Sequence, residues 1–123
     1  EDIIKALLEG MTMEMRLNLN IMEDAGISIK HLHMTGGGAK NRKLVQLKAD
    51  VLGLPVSTLK VTEAGCLGVA MLACAAHKQL SITELIRNWV KIVSVVEPHT
   101  ERARVYSEKF NTYKKLYPVL KKL

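Results

Sequence analysis

Three consecutive glycines, Gly36, Gly37 and Gly38, stand in the stretch HMTGGGAKN between a run with strand periodicity and a run with helix periodicity. A chain that turns from strand to helix through glycine exposes main-chain amides at the positive end of the helix macrodipole. That is a design for holding an anion. Glycine also supplies positive φ where a tight turn demands it, so a purely structural turn and a phosphate contact both fit the triplet. Two other motifs fail on spacing. In a G-x-G-x-x-G motif starting at Gly36 the third glycine would fall on Asn41, and no glycine precedes a lysine followed by Ser or Thr as a Walker A loop requires. A dinucleotide-binding unit would also place an acidic residue about 20 positions beyond the glycines, where Thr58 and Lys60 stand instead.

The rest of the chain frames this turn. Ile3, Ile4, Leu7, Leu8, Met11, Met15, Leu19 and Met22 recur at three- and four-residue steps, predicting a long amphipathic helix over 2–25 that ends at Gly26. The chain opens inside that pattern without an initiator methionine, and such a helix needs a broad partner surface; an excised piece of a longer protein is expected. Residues 29–34 alternate as a short strand, with Ile29, His31 and His33 on one face. Leu44, Val45, Leu47, Val51 and Leu52 predict a helix over 41–52, closed by Gly53 with Pro55 beyond. A second strand follows over 55–61, then a helix over 64–78 whose small apolar residues predict burial on much of its surface. Ser81 and Glu84 form a capping box that starts a helix through Val90. An extended segment leads to Pro98, and the last helix, from Thr100, places Tyr106, Phe110, Tyr113, Tyr117 and Leu120 at four- and three-residue steps, with Pro118 expected to kink or end it near Leu116. Strands alternating with helices read as α/β with some parallel pairing, in a sheet too small to be complete.

A chain of 123 residues with 48% hydrophobic and 24% charged residues suits one packed domain, residues 1–123, and lies outside the disordered class. No apolar run approaches the roughly 20 residues that span a bilayer, and the first residues lack the marks of a secretory signal. A cytoplasmic protein without a membrane partner is expected. Cys66 and Cys74 match no metal or redox spacing and read as buried thiols, and Trp89 reads as a core anchor. His31 and His33 share a strand face, but no third metal ligand is evident. The net charge is +6, with a concentration of basic residues from Arg102 onward. This permits a non-catalytic reading, a basic module for nucleic acid or an acidic protein, in which the tyrosines stack on bases; tyrosines at this spacing more often pack against a core.

Four segments carry a family resemblance: LLEGMTMEMRLNLNIMEDAGI, TGGGAKNRKLVQLKADVLGLPV, EAGCLGVAMLACAAHKQ and VEPHTERARVYSEKFNTYKKLYPVLKKL. In this order they resemble the carboxyl-terminal lobe of the FGGY carbohydrate kinases, a branch of the actin, hexokinase and Hsp70 superfamily. The resemblance implies a helix-rich, partial ribonuclease H-like (actin-like ATPase) lobe with a small, incomplete sheet. It implies phosphoryl transfer from ATP, with Mg2+, to a sugar or polyol hydroxyl in a cleft between two lobes, and leaves open a homodimer of the complete enzyme. It gives no reason to expect a nucleic-acid partner. The catalytic base, sugar-binding residues and first phosphate loop belong to an amino-terminal lobe outside this chain, so the resemblance assigns no catalytic residue and no metal ligand here.

Carried onto this sequence, Gly36 and Gly37 match the pair whose backbone approaches the nucleotide phosphates, Gly38 and Ala39 keep that surface low, and Lys40 adds charge near it. Asn41 matches a position bordering the adenine; an N-cap role for the same side chain is also open. Asp50, one helical turn from Gln46, is expected to make a structural hydrogen bond rather than serve as a base. Glu63 suits the start of the next helix.

Overall fold

The computed structural model describes residues 2–121. Five helices and three strands follow in the order α1 (Asp2–Asp24), β1 (Leu32–Met34), α2 (Arg42–Leu52), β2 (Val56–Leu59), α3 (Ala64–Lys78), α4 (Ile82–Trp89), β3 (Ile92–Val96) and α5 (Thr100–Leu120), with a 3-10 turn over Gly37–Lys40 between β1 and α2. The sheet order is β1-β2-β3; β1 and β2 run parallel, and β3 is antiparallel to β2. This is the small mixed sheet of a helix-rich α/β unit.

Helix α2 is the centre of the packing because its sequence is apolar on two sides. Val45 and Ala49 press on the sheet, joining Val56 with Leu32, Met34 and Val96 beside them. From the other side, Val51 joins Met13 of α1 and Tyr106 and Phe110 of α5. The layers are therefore α1 and α5, then α2, then the sheet. Asn41 starts α2 by accepting from the N–H groups of Lys43 and Leu44 at 3.1 and 3.2 Å, and Gly53, at φ +68°, ends it in the left-handed region that favours glycine.

Several expectations shift. The strands shorten to Leu32–Met34 and Val56–Leu59, because only those residues pair in the ladder. Helix α1 turns to the core not the predicted stripe but Thr12 and Met13, with Leu17 alongside; Ile3, Ile4, Leu7 and Met11 are exposed. A second four- and three-residue series, Glu9, Met13, Arg16 and Asn20, lies on that side, and Glu9 and Arg16 reach across to α5. Tyr106 donates to Glu9 at 2.7 Å, and Arg16 donates to the Val51 carbonyl and to Ser107 Oγ, both at 3.0 Å, while lying over the Phe110 ring.

Helix α3 contains no buried residue, and its principal contacts are with α4. Cys66 is accordingly exposed and Cys74 half-buried rather than buried, and Trp89 is 37% exposed rather than a core anchor. Composition reported how apolar these surfaces are; among the described residues nothing covers them fully. Helix α5 continues through Pro118 to Leu120 rather than ending near Leu116: proline's preset φ is compatible with a helix, and the ladder resumes beyond it, with the Lys121 N–H bonded to the Tyr117 carbonyl at 3.0 Å. Tyr106 is buried and Tyr113 half-buried, whereas Tyr117 is 73% exposed. The capping box is present, with Ser81 accepting from the Glu84 N–H and Glu84 from the Ser81 N–H.

Candidate functional site

The site is built where parallel strands end. Strand β1 runs out at Met34, the chain passes through Thr35 into the glycines, and α2 begins at Arg42. Gly36 donates to the carbonyl of Thr62, in the loop between β2 and α3, at 2.9 Å. The loops leaving the two parallel strands are thus tied together at their roots, at the carboxyl edge where open α/β sheets place ligands.

Each glycine answers a different demand. Gly36 sits at φ +79°, ψ −175°, a region essentially closed to other residues. A Cβ on Gly38 would lie 3.0 Å from Met34 Cε and 3.3 Å from Leu44 Cδ2, so glycine lets the turn close over its neighbours. Gly37 differs from both. Its φ is not in the left-handed region, and a Cβ there would meet nothing within 4 Å. Neither backbone conformation nor packing within the chain asks for glycine at 37; the turn is bare toward open space. The first amides of the 3-10 turn, those of Gly37 and Gly38, have no intrahelical acceptor, as at any helix start.

The residues that follow complete the surface. Ala39 is half-buried, with its N–H bonded to the Gly36 carbonyl at 3.1 Å, and Lys40 is exposed. Asn41 spends its amide oxygen on capping α2, leaving its NH2 group free to donate. Gly36, Gly37, Gly38, Ala39, Lys40 and Asn41 therefore form one continuous turn.

Asp50 lies at the other end of α2, with its side chain 3% exposed. Its Oδ1 accepts from Gln46 Nε2 at 2.9 Å and from the His99 N–H at 2.8 Å, and Arg102 lies 3.6 Å from Oδ2. Gln46 also donates to the Glu97 carbonyl at 3.0 Å. These bonds clamp the β3–α5 connection to α2, a structural task. Glu63 precedes α3 but makes no capping bond. His31 bonds Ser57 Oγ through Nε2, with its ring 5.1 Å from that of His33. Among the described residues no three His, Cys, Asp or Glu side chains converge on a metal position, and no helix is long and apolar enough to cross a membrane.

Much of the basic character of α5 is answered within the chain: Arg102 pairs with Asp50, Arg104 with Glu101 and Glu108, and Lys109 with Glu9. Burial and the bond to Glu9 push the Tyr106 phenol well above its usual range. Burial also lowers Lys48, whose Nζ lies 2.9 Å from Met15 Sδ. Sequence reading missed the Thr62 carbonyl, since a main-chain acceptor leaves no mark in composition, and it passed over Arg42 and Lys43, the cations that open α2.

Bare main chain between a parallel strand and a helix, with a polar amide just beyond it, is an arrangement able to accept a phosphate in an α/β protein. Comparison with known proteins gives the family. Residues 1–77 match the model of the FGGY family of carbohydrate kinases, C-terminal domain, and the chain belongs to that family. It is 30% identical over 123 residues to a xylulose kinase of Staphylococcus epidermidis, covering 99% of this chain and 25% of that one. A glycerol kinase of Alkaliphilus oremlandii is 39% identical over 110 residues, 86% of this chain and 22% of the relative. The crystal structure of a xylulose kinase from Brucella ovis superposes with a TM-score of 0.85 at 25% identity, over 96% of this chain and 24% of that one. The chain thus spans about a quarter of the length of the curated relatives it matches.

Proposed function

We propose that residues 1–123 form one unit, the closing part of the carboxyl-terminal lobe of an ATP-dependent sugar or polyol kinase, and that the turn Gly36–Asn41 is its wall of the nucleotide pocket. The observation that carries this reading is Gly37, a glycine that the fold itself does not require. A side chain there would occupy the space through which a phosphate reaches the amides. The Asn41 NH2 group, just beyond the turn, is free to donate to a base edge, and Lys40 adds positive charge next to the turn.

Phosphoryl transfer asks for alignment and charge neutralisation more than for covalent chemistry from the protein. Mg2+, carried in on the phosphates, supplies that neutralisation when bound. This chain's share is positioning: amides at 37 and 38 hold a phosphate oxygen, and the Gly36–Thr62 bond keeps the turn from opening. The base that takes the hydroxyl proton and the contacts that select the sugar lie in the other lobe, which the relatives' greater length accommodates.

Calorimetric titration of the chain with Mg-ADP tests the reading. Saturable binding that Gly37→Val abolishes, with thermal unfolding unchanged, is the expected result. Because a side chain at 37 meets open space, the variant folds, and equal affinity in the two proteins would remove the turn from the nucleotide site. In a polypeptide carrying both lobes, the same substitution raises the nucleotide KM strongly.

A further inference from the structure

Helix α2 opens against the rule for helix ends. Its first two residues are Arg42 and Lys43, with Lys40 two residues earlier and no acidic residue in the first turn. Cations at a helix N-terminus face the positive end of the macrodipole, and three of them close together repel one another. Among the described residues none of the three makes an ion pair. A local rule broken without internal compensation points to a ligand of the missing sign.

A cavity lies where such a ligand would sit. Lys40 and Arg42 stand on the wall of a pocket of about 370 Å3 between the head of α2 and the β2–β3 pair. The sheet supplies its hydroxyls, Thr58 Oγ1 and Ser94 Oγ, 2.8 Å apart and facing each other across the ladder. Thr58 is only 9% exposed, so its hydroxyl is a fixed feature of the pocket. Each hydroxyl keeps hydrogen-bonding capacity beyond the bond they share. Ala39, at the end of the glycine turn, Val45, Val95 and Val96 form the apolar remainder. Gly36 and Gly37 do not line this pocket, and the α2 amides of Lys43 and Leu44 are already taken by Asn41.

We infer that this pocket is a second anion site, taking a phosphate dianion, free or as the phosphate of a small monoester. Lys40 and Arg42 supply charge, Thr58 and Ser94 supply hydroxyl contacts, and the valines leave room for a short carbon skeleton. Arg42 suits the role because its planar fork can give two parallel bonds to phosphate oxygens. The inference does not rest on the nucleotide reading of the glycine turn.

Titration of the isotopically labelled chain with inorganic phosphate, and separately with glycerol phosphate, at fixed ionic strength tests it. Saturable amide shifts clustered at residues 40, 42, 58 and 94 are expected, whichever probe binds more tightly naming the source of the phosphate. Arg42→Gln weakens binding about tenfold or more, as expected for loss of a charge-assisted pair. Lys43→Gln, which removes an adjacent charge outside the pocket, changes it less than about twofold on the same grounds. Both positions are exposed, so both variants fold. Gly37→Val leaves phosphate binding here intact even where it abolishes Mg-ADP binding. Equal losses from Arg42→Gln and Lys43→Gln would show diffuse attraction only, and shifts that never saturate, or that vanish in Gly37→Val, would equally overturn the site.

Discussion

At residue scale, burial does most to set the chain's chemistry, and Tyr106 shows how. Its hydroxyl is held between α1 and α5 by Glu9, and burial joins that bond in keeping the proton on. In the unfolded chain a tyrosine releases its proton near pH 10. Stability is therefore complete below about pH 10 and falls as the pH rises past it, because the unfolded state sheds a proton that the native state retains. Chemical denaturation between about pH 8 and 11 should show this decline, and Tyr106→Phe should reduce it, leaving the share of Tyr113, which its bond to Glu14 raises in the same sense. Lys48, lowered by burial, acts in the opposite sense over the same range, and the comparison of the two proteins cancels it. Single residues also mark how far sequence could go. The Asn41 cap was legible because Asn ahead of an apolar helical period has few other uses, whereas the burial of Glu9 and Tyr106 depended on which side of α1 faced inward.

At element scale, α2 is the piece on which the fold turns. The glycine turn is mounted at its head and the β3–α5 connection is clamped near its tail by Gln46 and Asp50. Asp50→Ala leaves the His99 N–H without its acceptor, removes the bond from Gln46 and opens a buried site, and should cost about 2–4 kcal/mol in urea unfolding. Asp50→Asn keeps an acceptor for His99 and should cost less than half as much; equal losses would mean that the carboxylate charge alone matters. The helices were legible to within a residue or so at most ends, because α2 and α4 carry explicit caps. The strands were less so: alternation continued beyond the residues that find partners, and pairing is decided across the sheet rather than along the chain. In α1 two series at helical spacing compete, and the strongly apolar one is not the one that packs.

At the scale of the whole molecule, the apolar surface is divided unevenly. Val45, Val51 and Val56 are sealed around α2, while Ile3, Leu7, Met11, Val69, Leu72 and Val93 face outward. Faces of this kind mark contact surfaces. In the proposed kinase they lie against the remainder of the two lobes. Hydrogen exchange should therefore be graded, with amides of α2 and β2 protected most and those of α3 exchanging far faster, since opening α3 uncovers almost nothing. Uniform protection across α2 and α3 would refute this division. The sequence signalled the amount of apolar surface on α3 but not its exposure, because composition carries no record of which neighbours are present.

The cap at the head of α2 also limits what the turn can discriminate. With its oxygen committed to the helix, Asn41 can give a hydrogen bond but not take one. In the proposed nucleotide site it would donate to a purine acceptor, either a ring nitrogen that adenine and guanine share or the guanine carbonyl, and could take no bond from adenine's amino group. A preference for adenine would therefore have to come from an acceptor supplied elsewhere in the cleft.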